Sequence, residues 1–211
     1  MELIYSTGIL SGVLIYVGYL MTGLLKKTPS LFYRGYFIVF TLIHFSVAIG
    51  FITFLSELST IQDPHDFYNR ALEAESWMGL FGIGHDFMSF IIYPFVQLNI
   101  GIELFFLVFS VISYKGFLML FELLEVHKFT NKSHLFLLSF FLIPSIHFWT
   151  VFLGKEPLLL FLMVLLLRNV VKNTFNIQMI GLLIIIFLIR PHVCLVLIIA
   201  LLMLFLMDKS K

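Results

Sequence analysis

Long apolar segments that carry no charged residue recur along the whole chain, and they limit what it can fold into. The run Leu182–Ile189 is entirely apolar, and similar runs alternate with short polar breaks throughout. Of the 211 residues, 61% are hydrophobic and only 12% are charged, whereas a soluble domain has about 25% charged residues. The remaining polar residues could not cover a water-facing surface. The sequence therefore predicts an integral membrane protein with one transmembrane domain over residues 1–211.

Seven segments are candidates for transmembrane helices. A hydrocarbon core about 30 Å thick needs roughly 20 helical residues. The candidates are approximately 5–25, 35–56, 94–114, 134–152, 156–171, 177–190 and 193–207. The expected fold is all-α, a polytopic bundle of about seven spans. Because only Arg190, Pro191 and His192 separate the last two candidates, two spans, one broken helix and a re-entrant pair all remain open.

The positions of the basic residues predict the orientation, because lysine and arginine concentrate in cytoplasmic loops. Ten of the thirteen basic residues form four clusters, namely Lys26, Lys27 and Arg34; Lys115, Lys128 and Lys132; Arg168 and Lys172; Lys209 and Lys211. With seven spans these clusters all lie on one side. The N-terminus is then outside and the C-terminus cytoplasmic, in a multi-pass cell-membrane protein. The formal net charge is only +1, and no basic patch with interleaved aromatic residues predicts nucleic acid as a partner.

An acidic loop over about residues 57–93 is expected outside the membrane. It carries six carboxylates against the single Arg70. A helix is predicted from Asp66 to Met78, capped by Asp63 or Asp66. Either aspartate could act as a general base for an acceptor hydroxyl or hold a divalent cation, with Tyr68 beside them. The alternative is that the acidic residues only keep the loop hydrated.

Charged residues at the outer ends of the later spans form a second group of candidates. Arg190 precedes a proline that ends a regular helix, and its guanidinium suits a phosphate; the alternative is an arginine that reaches lipid headgroups. Lys155 and Glu156 lie where a helix is expected to begin. Lys155 could bind an anionic group there, or the segment could be an ordinary interfacial turn.

Other polar residues receive structural assignments. His85, His147 and His192 fall at outer ends of spans, but their spacing fits no metal motif, so no metal site is predicted. His44 is expected to pack inside the bundle. Glu103 is expected about two turns into the third span, hydrogen-bonded to a neighbouring helix.

The predicted topology brings eight candidates to one outer face: Asp63, Asp66, Tyr68, His85, Lys155, Glu156, Arg190 and His192. Carboxylates and cations at a membrane surface suit a lipid-linked phosphosugar, whose phosphate would be neutralised there when it leaves. No organic cofactor is needed, and a divalent cation is optional. Membrane lipid, the lipid-linked sugar and membrane partner subunits are the expected partners.

Two parts of the chain resemble known bacterial membrane proteins. The segment Asp63 to Ala71, with Asp66-Phe67-Tyr68, resembles the acidic first-loop motif of GT-C-type polyprenyl-phosphate-sugar glycosyltransferases. The segment Ile143 to Trp149, followed by Gly154-Lys155-Glu156 and by Ile189-Arg190-Pro191-His192, is similar to surface-polysaccharide assembly proteins found near O-antigen polymerases.

The resemblance covers roughly residues 60–200 and implies a GT-C-like transferase or polysaccharide polymerase of the inner membrane. Asp63 or Asp66 matches the family's acidic residue. Because GT-C enzymes have around a dozen spans, it implies a short or truncated member or one subunit of a complex. The alternative function is a non-catalytic component, either a flippase-like carrier or an accessory subunit that binds the same lipid phosphate.

Overall fold

The computed structural model describes residues 2–28, 30–55, 62–126, 132–172 and 176–208. Regular structure in these ranges is helical throughout, which confirms the expected all-α class. The ten α-helices are α1 (Glu2–Lys27), α2 (Leu31–Gly50), α3 (Gln62–Glu73), α4 (His85–Val96), α5 (Ile102–Leu123), α6 (Lys132–Phe140), α7 (Pro144–Phe148), α8 (Lys155–Val171), α9 (Ile177–Ile189) and α10 (Pro191–Asp208). A π-helical turn, Phe51–Leu55, extends α2, and a 3-10 turn, Met78–Leu80, precedes α4. Glu57, Lys128, Lys209 and Lys211, on which the predicted loop and topology partly depend, lie outside the described residues.

Two helical segments are long and apolar enough to cross a membrane, Leu31–Thr53 and Ile102–Leu123. The seven-span count stays a prediction. Large apolar side chains are also exposed on the shorter helices: Ile177 on α9 is 79% exposed and Leu206 on α10 is 67% exposed. Contiguous apolar surface of this kind is unfavourable in water and marks contact with lipid or with another protein.

The boundaries predicted for the third span are wrong. Pro94 lies inside α4 instead of starting a helix, and the chain then turns before α5 begins at Ile102. In that turn Asn99 has φ 59°, a left-handed conformation that asparagine tolerates better than most residues. Glu103 is consequently exposed in the first turn of α5, not two turns inside a span.

The fourth predicted span, 134–152, is also wrong as a single helix. α6 ends at Phe140, and a turn separates it from the short helix α7, which begins at Pro144. Proline at the first helical position is favourable, but it disfavours helical conformation in the residue before it. Ile143 accordingly has extended φ and ψ angles.

The last three helices follow the apolar runs closely. α8 begins at Lys155, and α9 and α10 are separate helices that pack against each other. Arg190 between them is extended, with φ −148° and ψ 95°, as expected for a residue before proline. A single continuous helix over 177–207 is therefore excluded.

The loop helix begins earlier than predicted. α3 starts at Gln62 and ends at Glu73, so Asp63 and Asp66 lie within its first two turns and Met78 is not part of it. The prediction that either aspartate caps the helix N-terminus is wrong. The carboxylate of Asp63 still lies in the first turn, where the positive end of the helix dipole favours it.

Close packing of α5 against α8 forms the centre of the described structure. A Cβ added at Gly116 of α5 would lie 3.2 Å from the Cα atom of Phe161 in α8. Glycine therefore allows the two backbones to approach. This contact orients α8, whose first residue, Lys155, belongs to the candidate site.

Candidate functional site

A cluster of charged and titratable side chains gathers where the N-terminal ends of α4 and α8 meet α3 and the break between α9 and α10. Ion pairs and electrostatic interactions link its members, which we call the charged cluster: Asp63, Asp66, Arg70, His85, Asp86, Lys155, Glu156 and Arg190. Most of the candidates predicted from the sequence are therefore neighbours.

Asp66 lies at the centre of these interactions. Its Oδ2 atom accepts a hydrogen bond from Nε of Arg70 at 2.9 Å and lies 3.1 Å from Nδ1 of His85. Burial acts to raise the pKa of Asp66, but the hydrogen bonds from Arg70 and His85 outweigh it and leave the pKa below its ordinary 3.8. An ionised carboxylate only accepts hydrogen bonds, so Nδ1 of His85 carries the hydrogen of this bond. In the neutral imidazole with this tautomer, Nε2 is the acceptor.

Arg70 joins two helices and was not among the predicted site residues. Its guanidinium donates to Asp66 on its own helix and to Oδ1 of Asp86 in α4, at 3.1 Å. The spacing of four residues between Asp66 and Arg70 places them on one helix face. This spacing is the signal by which the sequence could have revealed the pair.

Lys155 is the cation that the cluster leaves uncommitted. Among the residues that the structure describes, it forms no hydrogen bond or ion pair, and its Nζ atom lies 5.6 Å from the centre of the Phe67 ring. Burial lowers the pKa of Lys155 below its ordinary 10.5; the Asp63 carboxylate opposes this effect, and the Arg190 cation adds to it. An anion bound here would favour the charged form of the amine.

Arg190 is partly committed to a protein partner. One terminal nitrogen of its guanidinium donates to Oε1 of Glu156, so Glu156 positions the arginine. The Nε atom of Arg190 is buried and has no hydrogen-bond partner among the described residues. The guanidinium therefore has donor capacity that Glu156 does not satisfy.

Gly84 connects the acidic segment to the end of α9. Its N–H donates to the carbonyl oxygen of Leu188 at 2.7 Å, and its φ of 71° lies in a region that favours glycine. A Cβ at this position would also lie 3.8 Å from Nζ of Lys155. The glycine thus brings the first turn of α4 against the helix ends that carry the cations.

Tyr68 and His192, the two other predicted site residues, contact the backbone of a turn and the surface, respectively. The hydroxyl of Tyr68 donates to the carbonyl oxygen of Ile100 at 3.1 Å, and its ring packs edge-on against Phe105. His192 is exposed in the first turn of α10. The hydroxyl of Tyr68 is therefore bonded to the turn before α5, and His192 lies at the surface of α10.

The cluster does not fit a divalent cation. In the described ranges, no group of three His, Cys, Asp or Glu side chains is arranged to hold a metal ion. A cation at Oδ2 of Asp66 would also have to displace the guanidinium of Arg70. Asp66, Asp86 and Glu156 are instead paired with arginine side chains of the protein.

An apolar cavity of about 320 Å³ lies between α4, α5 and the first turn of α8. Its walls contain no polar surface, and they include Ile91, Leu104, Phe105, Val108 and Leu158. Leu158 follows Lys155 by one helical turn, so the cavity begins close to the uncommitted cation.

A second polar group, inside the bundle, was missed by sequence reasoning. His147 is fully buried against His44, with the two Nδ1 atoms 2.9 Å apart. Its position at the outer end of a span stays a prediction. His44 packs in the core as expected. A contact between residues 103 positions apart leaves no local pattern by which it could have been found.

Comparisons with protein-family models, with curated proteins and with solved structures find no match to this chain. The resemblance to GT-C-type glycosyltransferases therefore depends on the quoted motif residues alone.

Proposed function

We propose that this protein is a membrane transferase that acts on a lipid-linked phosphosugar at the charged cluster. The observation that carries the proposal is the placement of Lys155, Arg190 and the Asp66–His85 pair at one end of an apolar helical protein. Separate parts of the chain supply the unpaired amine of Lys155, the guanidinium of Arg190 and the imidazole of His85, whose Nε2 can accept a proton in the proposed reaction. A phosphate ester and an acceptor hydroxyl require these groups together.

The apolar cavity supports a lipid as the carrier of the phosphate. Its lining is wholly apolar, and Leu158 places it one turn from Lys155. A polyprenyl chain packed against Leu158 and Ile91 would bring its phosphate to the amine of Lys155. The binding site thereby combines burial of apolar surface with charge neutralisation.

The proposed reaction is a transfer of the glycosyl group. His85 Nε2 takes the proton from the acceptor hydroxyl as that oxygen forms a bond to the anomeric carbon. The bond between the anomeric carbon and the phosphate oxygen breaks, and the lipid phosphate leaves with the electron pair. Lys155 and Arg190 stabilise the negative charge that develops on the phosphate, and Asp66 positions the imidazole.

The opposite end of the molecule supports an outward-facing site. Lys27 at the end of α1 forms an ion pair with Glu122 near the end of α5 and interacts electrostatically with Arg168 near the end of α8. Lysine and arginine at these helix ends are typical of a cytoplasmic face. Because α8 runs from Lys155 towards this basic end, we place the charged cluster on the extracytoplasmic side of the membrane.

Lys155 and Lys172 allow a matched test, since they lie at opposite ends of α8. Purified protein in lipid nanodiscs is incubated with undecaprenyl phosphate, and binding is measured for Lys155→Met and Lys172→Met. We expect at least a tenfold loss of affinity in Lys155→Met only. Equal affinity in both variants and the native chain would contradict a phosphate site at Lys155.

One observation favours a second candidate, a non-catalytic lipid-phosphate carrier or accessory subunit. Arg70 and Arg190 are both already paired with protein carboxylates, which leaves Lys155 as the uncommitted cation of the cluster. Binding that depends on Lys155, together with full function of Asp63→Asn, Asp66→Asn and His85→Gln, would support the carrier. Loss of glycan transfer with retained binding in His85→Gln would support the transferase.

A further inference from the structure

Two imidazole rings from distant parts of the chain meet inside the helical bundle. His44 of α2 and His147, which lies in α7, are both 0% exposed, and Phe40 and Phe117 pack their rings against them. Neither imidazole interacts with the charged cluster. The proposed transfer reaction therefore assigns this pair no role.

The outer nitrogen of each ring faces a backbone carbonyl. Nε2 of His44 lies 2.9 Å from the oxygen of Ser110, and Nε2 of His147 lies 2.8 Å from the oxygen of Phe141. A carbonyl oxygen only accepts, so each Nε2 must carry a hydrogen to form its bond. A neutral imidazole has one such hydrogen. Two neutral rings that satisfy both carbonyls would then face each other with bare Nδ1 lone pairs at 2.9 Å.

A third proton resolves this conflict. Placed between the two Nδ1 atoms, it is donated by one ring and accepted by the other, at an ordinary hydrogen-bond distance of 2.9 Å. All four ring nitrogens are then hydrogen-bonded. The pair carries one positive charge, and a buried charge persists only where it is hydrogen-bonded in this way.

The structure also contains a partner for the state without that proton. Oγ of Ser113 lies 3.3 Å from Nε2 of His44 and also within hydrogen-bond distance of the carbonyl oxygens of Ser110 and Thr150. If His44 moves its hydrogen to Nδ1, the hydroxyl of Ser113 can turn and donate to the bare Nε2. His147 has no equivalent hydroxyl among its described contacts.

The remaining polar surroundings do not supply a counter-charge. Tyr114 of α5 is the other titratable side chain packed against the pair; its ring lies 5.7 Å from that of His44, and its hydroxyl is 2.8 Å from Oγ1 of Thr41 in α2. Within the described part of the chain, no Asp, Glu, Lys or Arg side chain hydrogen-bonds to either imidazole. A proton held between the two rings would therefore be stabilised by these hydrogen bonds alone.

We propose that His44 and His147 together form a binding site for one proton, shared between their Nδ1 atoms. Release of the proton turns the Ser113 hydroxyl from the backbone of α5 and Thr150 towards His44. The site links α2, α5 and α7, and the buried residues 151–154 connect α7 to Lys155. This inference does not depend on the proposed transferase function.

The test is a titration of the full-length chain labelled with ¹⁵N-histidine in lipid bilayers. Solid-state NMR distinguishes protonated from bare ring nitrogens. The titration runs between about pH 3 and 8, because burial can displace the ordinary imidazole range of about pH 5 to 8. We expect the His44 and His147 signals to change together in one transition that takes up one proton per pair. Two independent one-proton transitions, or fixed neutral tautomers throughout, would overturn the proposal.

Two variants sharpen the test. In His147→Gln, the glutamine amide can still donate to the carbonyl oxygen of Phe141 but cannot bind a proton. We therefore expect the shared transition to be lost, while the signal of the exposed His192 is unchanged.

Ser113→Ala removes the hydroxyl that stabilises the released state. The transition then moves to higher pH, because the neutral state is destabilised. An unchanged midpoint in Ser113→Ala would contradict the proposed role of the hydroxyl, even if His147→Gln fails to fold.

Discussion

The carboxylate of Asp66 lies 3.1 Å from Nδ1 of His85, across a separation of 19 residues. Because Arg70 also donates to this carboxylate, Asp66 stays ionised and orients the imidazole instead of taking a proton itself. The likeness to GT-C loops identified the aspartates as the matching acidic residues. The geometry supports His85 as the proton acceptor in the proposed reaction and Asp66 as its positioning residue.

Substitution of this pair tests the two roles. We expect His85→Gln to lower kcat for glycan transfer by about 10²- to 10⁴-fold, the usual contribution of a general base. Asp66→Asn should lower kcat with little change in KM, because an asparagine amide can donate to Nδ1 and favour the wrong tautomer. His192→Gln, outside the charged cluster, is the matched control. A kcat for His85→Gln equal to that of the control would exclude His85 as the base.

The pH dependence of amine labelling reports the environment of Lys155. Burial lowers the pKa of Lys155, whereas the hydrogen bond to Glu122 raises the pKa of Lys27. The neutral amine is the reactive form, so acetylation of Lys155 should reach its plateau at a lower pH than acetylation of Lys27. Mass spectrometry after brief exposure to acetic anhydride measures both lysines in one sample.

Undecaprenyl phosphate should then shift the Lys155 profile to higher pH, because a bound anion favours the charged amine. The Lys27 profile should not move. Coincident profiles for the two lysines without ligand would show that Lys155 does not experience the burial described above.

The contact between α5 and α8 predicts a difference between two glycines. A side chain at Gly116 would meet the backbone of Phe161 at 3.2 Å, whereas a Cβ at Gly181 meets no atom within 4 Å. Gly116→Leu should force the helices apart and reduce thermal stability strongly, while Gly181→Leu should be tolerated. Small residues permit close helix packing in membranes. Equal melting temperatures in detergent would contradict this packing.

The orientation of the molecule can be tested with single cysteines. Cys194 is buried, so Cys194→Ser provides a background for Asn69→Cys on α3 and Lys172→Cys at the end of α8. In intact cells, a membrane-impermeant maleimide should label the cysteine at position 69, while the one at position 172 should react only after permeabilisation. Labelling of both before permeabilisation would remove the support for an outward-facing site.

The sequence predicted those parts of the fold in which local chemistry determines the result. α8 begins at Lys155, after a glycine and at the start of an apolar run, and the break at Arg190 follows from Pro191. The boundaries predicted for the third and fourth spans are wrong for a different reason. A hydropathy pattern does not resolve the turn at Asn99. It also does not separate α6 from α7, which begins at Pro144.

For the candidate site, the sequence predicted that most members of the charged cluster lie on one face, but it did not predict which of them form pairs. The topology predicted that Lys155 and Arg190 would lie near the acidic loop, and the structure brings them together. The pairing of Arg190 with Glu156, and of Asp66 with His85, depends on how helices from distant segments dock. The His44–His147 contact is of the same kind and has no periodic signal in the sequence.

The shortness of α9 has a consequence for the depth of the charged cluster. Its 13 residues rise about 20 Å, some 10 Å less than the hydrocarbon thickness of an average bilayer. If α9 spans the membrane as predicted, with Asn176 at the cytoplasmic boundary, Arg190 would lie beneath the opposite headgroups, and the bilayer would have to thin or admit solvent above it. A phosphate bound at the depth of Arg190 would remain attached to its lipid. A hydrophilic acceptor would reach it through water that enters the thinned part of the bilayer.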